Sequence, residues 1–132
     1  MSERTGKCLC GAVTFTADPM PSSQACHCET CRTWGGGPFM AVPCKSATFT
    51  GKVTRFASSE HAERGFCPTC GTHLFFNPTG KDVYGIPLGI FDDPADLPFK
   101  AEFFIDEKPE TYSFANDTKK LTGAEFIAKF RN

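Results

Sequence analysis

A mostly-β domain clipped together by metal is the fold the sequence predicts, on three observations. Short runs alternating Thr or Val with Phe recur along the 132 residues, the period of strands. The 12 glycines and 10 prolines interrupt the chain every few residues, the punctuation of short strands and tight turns. Most of the eight cysteines fall at C-x-C or C-x-x-C spacing, which is the spacing of metal ligands.

Taken in order, "AVTFTA" at 12–17 places Val13 and Phe15 on one face of a half-buried strand. "ETCRTW" at 29–34 suits one or two helical turns, stopped by Gly35 at the C′ position. "GPFMAVP" opens a strand, and "SATFTGKVTRFA" at 46–57 has the pattern of a hairpin turning at Gly51-Lys52. "HLFFNP", "DVYGIPLGIF" and "KAEFFID" are further short strands bounded by Gly or Pro. "GIFDDPADLPF" is a turn-rich loop in which Asp92, Asp93 and Pro94 cap a turn. "TGAEFIAKF" closes the chain as a helix, with Thr122 as N-cap and Phe126, Ile127 and Phe130 on one face. No repeat or linker intervenes, so residues 1–132 form one domain. Fourteen of its aromatics are Phe, which predicts a phenylalanine-heavy core.

Composition narrows the function. A net charge of −1 without basic clusters argues against a nucleic-acid binder, whose affinity rests on grouped Lys and Arg. No stretch of 18 apolar residues offers a membrane span, and "MSERTGKCLCG" is polar where a signal peptide needs an apolar segment. The expected compartment is the cytoplasm. Disulfides need an oxidising compartment, and Cys8/Cys10 and Cys26/Cys28 are too close for unstrained mutual bridges.

Metal is therefore the reading for the cysteines. "KCLCGAV" and "FCPTCGTHLF" supply two corners, Cys8 with Cys10 and Cys67 with Cys70, which together close a four-thiolate site. Such a site has no open position and acts as a structural staple. "CHCETC" supplies Cys26, Cys28 and Cys31, three thiolates with an open corner, the coordination pattern of catalytic zinc. Cys44 in "AVPCKS" stands outside any ligand spacing and reads as a half-buried thiol at a strand end.

These motifs carry a family resemblance. C-x-C-G at 8–11, C-H-C-x-x-C-R at 26–32, C-P-x-C-G at 67–71 and G-x-x-D-D-P at 89–94, in that order, resemble the glutathione-dependent formaldehyde-activating enzyme family. That family includes the centromere protein V-like proteins. The resemblance runs from Gly6 to about Tyr112, and Tyr112 itself stands where many members have tryptophan. It implies a tent-like, mostly antiparallel β fold. It implies structural Zn2+ at Cys8, Cys10, Cys67 and Cys70, and a second zinc at Cys26, Cys28 and Cys31 whose fourth ligand is solvent or the glutathione thiol. The implied activity is a carbon–sulfur lyase type, forming S-hydroxymethylglutathione from glutathione and formaldehyde.

The chemistry of the open site agrees. Three thiolates and Zn2+ sum to −1, a weak Lewis acid better suited to holding an incoming thiol as thiolate than to polarising a carbonyl. Arg32 and the N-terminus of the short helix could offset the charge of a fourth thiolate. His27, between two ligands, should point away from the metal in a supporting role. His73 could complete a closed Cys3His site, and His61 belongs on the surface. "TWGGGPF" at 33–39 could be a flexible lip over a peptide or simply a turn, while Trp34 and Phe39 read as core. The competing class is a non-catalytic zinc module that uses the same fold to present a surface.

Overall fold

β4 (Phe39–Thr50) is the spine of the molecule, and the computed structural model describes residues 3–131 around it. Its first half pairs with β3 (Ser23–Cys26) on one edge and β8 (Tyr84–Pro87) on the other. Its second half pairs antiparallel with β2 (Thr14–Pro19), which in turn carries β1 (Arg4–Lys7). Pro43 lies where the partner changes from β3 to β2. It has no N–H to give, and its carbonyl accepts from the Met20 amide at 2.8 Å, so the ladder loses little there.

The sheet continues from β8 through β7 (His73–Pro78) and β6 (Ala62–Phe66) to β5 (Thr54–Ala57). On the other side, β3 pairs in parallel with β9 (Phe99–Phe103), which pairs in parallel with β10 (Lys119–Leu121). The remaining ladders are antiparallel. The result, among the described residues, is an open ten-stranded sheet with two short α-helices, the mostly-β fold expected. Val13 and Phe15 alternate into the core as predicted, continued by Ala17, against Val42, Leu74, Phe75, Ile86 and Phe91. Phenylalanine does dominate: Phe15 meets Phe91 edge-on at 5.2 Å and Phe49 meets Phe75 at 4.9 Å.

The hairpin expected at 46–57 does not form. β5 pairs with β6 (Thr54↔Phe66 to Ala57↔Glu63), because β2 already occupies β4 as far as Thr14↔Thr50. Gly51, at φ 111°, is a crossing point rather than a hairpin turn. A Cβ there would come within 2.3 Å of the Ala12 carbonyl oxygen, so only glycine lets the two backbones pass.

Both helices are where the sequence puts them. α1 (Glu29–Gly35) ends one residue later than expected, at Gly36, whose left-handed backbone directs its N–H to the Arg32 carbonyl at 2.7 Å. α2 (Gly123–Phe130) starts with a reciprocal capping box between Thr122 and Glu125. Phe126 and Phe130, one turn apart, pack on Phe103 at 4.8 and 5.7 Å. Ile127 and Phe130 are 42% and 52% exposed, so of the predicted apolar face only Phe126 is half-buried. No helix among the described residues is long and apolar enough to cross a membrane.

Candidate metal centres

The loop after β1 carries Cys8 and Cys10, and the β6–β7 loop carries Cys67 and Cys70. The four sulfurs lie within 4.8 Å of one another. A tetrahedron with about 2.3 Å metal–sulfur bonds has edges of about 3.8 Å. Cys8 and Cys10 Sγ are 3.6 Å apart, and Cys10 and Cys67 Sγ are 3.8 Å apart, so the donor set fits a metal ion. The loops are tied independently of any ion: Leu9 N donates to Thr72 Oγ1 at 3.0 Å, and Gly71 N to the Cys67 carbonyl at 2.8 Å. Gly71 takes a left-handed φ of 81°, which turns the knuckle. Hydrogen bonds from the Thr72 hydroxyl and amide pull the Cys70 thiol down to about 5, favouring the ligating thiolate.

The second cluster holds Cys26, Cys28 and Cys31, again within 4.8 Å, and among the described residues it has three members. Cys26 ends β3, Cys28 is the N-cap of α1, and Cys31 lies in its first turns. The Cys28 Sγ accepts from the Cys31 amide at 3.4 Å, doing the work of a capping oxygen. Contacts from the Cys26 and Cys31 sulfurs, that amide and the Arg64 charge push the Cys28 thiol far below the ordinary range despite burial.

Arg64 is the residue sequence reasoning missed. It projects from β6, is only 3% exposed, and places Nη2 3.4 Å from the Cys31 Sγ. Its guanidinium lies over the rings of Phe76 (5.1 Å), Phe39 (5.8 Å) and Trp34 (5.9 Å). A cation caged by aromatics keeps its field instead of losing it to water. Arg32, the cation expected at the sulfurs, instead donates its Nε to the His27 carbonyl at 2.9 Å. Nothing in "ERGF" distinguishes Arg64 from a surface arginine, because its role depends on the β6 register.

His27 does point away from the sulfurs. It is fully buried, with Nε2 2.8 Å from Glu102 Oε1 and Nδ1 2.9 Å from the Tyr112 hydroxyl. Thr118 Oγ1 donates to the other Glu102 oxygen at 2.6 Å, and Lys120 Nζ approaches it at 3.9 Å. The network pins the residue between two ligands to β9 and so orients both. Burial pushes the Glu102 carboxyl up, but hydrogen bonds from Thr118 and His27 outweigh it and hold the carboxyl below its ordinary 4.5. Its stabilisation is therefore present above that value and is lost as pH falls through the lower folded one. Glu102→Ala should cost about 1–3 kcal/mol, because it leaves the buried His27 Nε2 and the Thr118 hydroxyl without their hydrogen-bond partner. Chemical denaturation checks it, and an unchanged midpoint would show that the network contributes nothing to the fold.

Cys44 is not half-buried at a strand end but fully buried within β4, where burial and the Asp18 charge push its thiol up to about 12. Asp93 Oδ1 accepts from the Ala95 amide at 3.0 Å and so caps the turn as expected, whereas Asp92 Oδ2 accepts from the Thr5 hydroxyl at 2.8 Å and ties the loop to β1 instead. His61 is exposed. His73 belongs to neither sulfur cluster; its ring lies 5.0 Å from that of Trp34. Trp34 and Phe39 are half-buried wall residues rather than core. The 33–39 segment is a ridge between two clefts. One, of about 590 Å³, is lined by Arg32, Gly36, Tyr112 and Phe114 among others. The other, of about 460 Å³, is lined by Cys31, Trp34, Phe39 and His73 among others.

The model of the family described as "Glutathione-dependent formaldehyde-activating enzyme" matches residues 3–107. An uncharacterized lyase of Schizosaccharomyces pombe, C29B12.13, is 43% identical over 132 residues, covering 96% of both chains. The crystal structure of a Rhodobacter sphaeroides protein superposes on 73% of this chain and 99% of its own, with a TM-score of 0.56 at 21% identity, a likeness of fold. With four-fifths of its length matched and both cysteine clusters inside the match, the chain belongs to the glutathione-dependent formaldehyde-activating enzyme family.

Proposed function

We propose that this chain is a zinc-dependent enzyme of the carbon–sulfur lyase type, which joins a thiol to a small aldehyde or splits the adduct. Glutathione and formaldehyde, named in the family's description, are the pair, and S-hydroxymethylglutathione is the product. The S. pombe relative bears the name of a lyase. The observation that carries the proposal is the contrast between the two clusters: one has four sulfurs, and the other has three beside a cleft that Cys31 lines.

Cys26, Cys28 and Cys31 would hold the second ion, and Cys8, Cys10, Cys67 and Cys70 the structural one. At the three-sulfur site zinc supplies a fourth position that keeps a thiol deprotonated near neutral pH, where free thiols are mostly protonated. Arg64 supplies what the charge count requires. With it, three thiolates and a divalent ion sum to zero, so an incoming thiolate meets a neutral centre instead of an anionic one. The cleft wall of Trp34 and Phe39 keeps water from Arg64 and strengthens its pull on that charge.

The test is thiol–aldehyde exchange followed by NMR with 13C-formaldehyde and glutathione, on protein of measured metal content. Adduct formation should exceed the protein-free rate and scale with occupancy of the second site. Fully loaded protein that leaves the exchange rate at background would overturn the assignment.

A further inference from the structure

We infer that His73 is the proton carrier of this reaction, taking the S–H proton of the incoming thiol and delivering it to the aldehyde oxygen. The inference rests on the thiol–aldehyde reading and assigns it a catalytic base. The reaction needs one. A thiol must shed its proton before sulfur can attack, and the oxygen that receives the carbonyl electrons is far too basic to stay unprotonated.

His73 is placed for the task. It lines the same 460 Å³ cleft as Cys31, and the other residues of that lining are apolar, glycine or threonine. Thr72 is the nearest polar competitor, but its hydroxyl is engaged by the Leu9 amide and the Cys70 sulfur. The two buried-network nitrogens of His27 are both committed, to Glu102 and Tyr112. By contrast, His73 is only half-buried, its ring nitrogens take part in no side-chain hydrogen bond among the described residues, and neither sulfur cluster includes it. An imidazole with uncommitted nitrogens beside a nucleophile's site is the residue type most used for proton transfer.

The ring is also held in position. Trp34 lies against it, with ring centroids 5.0 Å apart. His73 begins β7 directly after the four-sulfur knuckle, whose closing hydrogen bond runs from Cys67 N to the Thr72 carbonyl at 2.9 Å. The structural centre thus anchors the base of the open one. Burial and then the Arg64 charge push the imidazole below its ordinary pKa, so it stands unprotonated at neutral pH, ready to accept.

The step balances. The S–H electron pair stays on sulfur as the proton passes to His73; sulfur forms the C–S bond; the carbonyl π pair moves to oxygen; the same proton returns to that oxygen. Cleavage is the reverse. No net proton is exchanged and nothing is oxidised.

The experiment compares His73→Gln and His73→Ala with the parent protein, each with its metal content measured. Both variants should keep the parent's zinc per chain and its glutathione affinity by calorimetry. Turnover should fall roughly 10²–10³-fold, the usual worth of a positioned acid–base group, and added imidazole should restore part of it in His73→Ala. In the parent, the 15N signals of the His73 ring should move when glutathione is added. Parent turnover with variant rates within about threefold would overturn the carrier role and leave the thiol–aldehyde reading standing. Loss of one zinc in both variants would overturn it too, by making His73 a ligand. Unmoved 15N signals count the same way, and a parent protein without turnover removes both proposals.

Discussion

Cys67→Ser should release the structural zinc and unfold the chain. Cys67 and Cys8 are completely buried members of the core cluster, so this site is part of the interior, not an ornament on it. It joins loops separated by 57 residues between Cys10 and Cys67, a closure whose entropy the chain must otherwise meet with side-chain contacts alone. Structural zinc in small domains contributes about 10–16 kcal/mol. The net stability of a whole domain is about 5–15 kcal/mol, so losing the ion exceeds or exhausts the margin. Serine is a poorer, harder ligand, and in a fully buried position its hydroxyl has no partner supplied. Circular dichroism and metal analysis on the purified variant test this. A zinc-free variant with the parent's melting curve would show that the knuckle merely decorates a self-sufficient core.

That site was the most legible part of the molecule, for a physical reason. Ligand spacing within a corner is local: C-x-C and C-x-x-C bring two sulfurs to one point whatever the rest of the chain does. The same holds for the Thr122–Glu125 capping box and the alternation of Val13, Phe15 and Ala17, which depend on residues a few positions apart. What escaped was long-range. β5 abandoned its expected partner because β2 had taken the edge of β4, bringing Ala12, 39 positions away, against Gly51. Arg64 and Glu102 are ordinary charges in the sequence and become decisive only when sheet register buries them against Cys31 and His27. Arg32 was the cation expected to offset the charge of the sulfurs. The cation that contacts Cys31 is instead Arg64, 33 positions away, because sheet pairing sets that neighbour.

Cys28→Ser should separate chemistry from folding at the second centre. Of the three sulfurs, this one can be replaced with least structural cost. It is half-buried, and its contribution to the fold is the N-cap of α1, a place where serine is among the preferred residues. The helix should therefore keep its cap. Arg64 should keep its contact with Cys31 and its aromatic cage, so no buried charge is stranded. Loss should be confined to the fold's share of one weakly closed metal site, a melting shift of a few degrees at about 3–5 °C per kcal/mol. The zinc count should fall from two per chain toward one, and thiol–aldehyde exchange should drop to background. Cys31→Ser is the informative contrast: it removes the sulfur that a 3%-exposed guanidinium contacts at 3.4 Å, and weakening the partner of a buried cation costs several kcal/mol beyond any metal effect. The expected order of melting temperatures is then parent, Cys28→Ser, Cys31→Ser, with Cys67→Ser unfolded. Reciprocity adds a second readout, since glutathione that supplies the missing ligand must tighten second-site zinc by the same factor that zinc tightens glutathione. Should Cys28→Ser collapse as Cys67→Ser does, the three-sulfur centre is a second staple, and the open corner of "CHCETC" holds the fold together instead of holding a substrate.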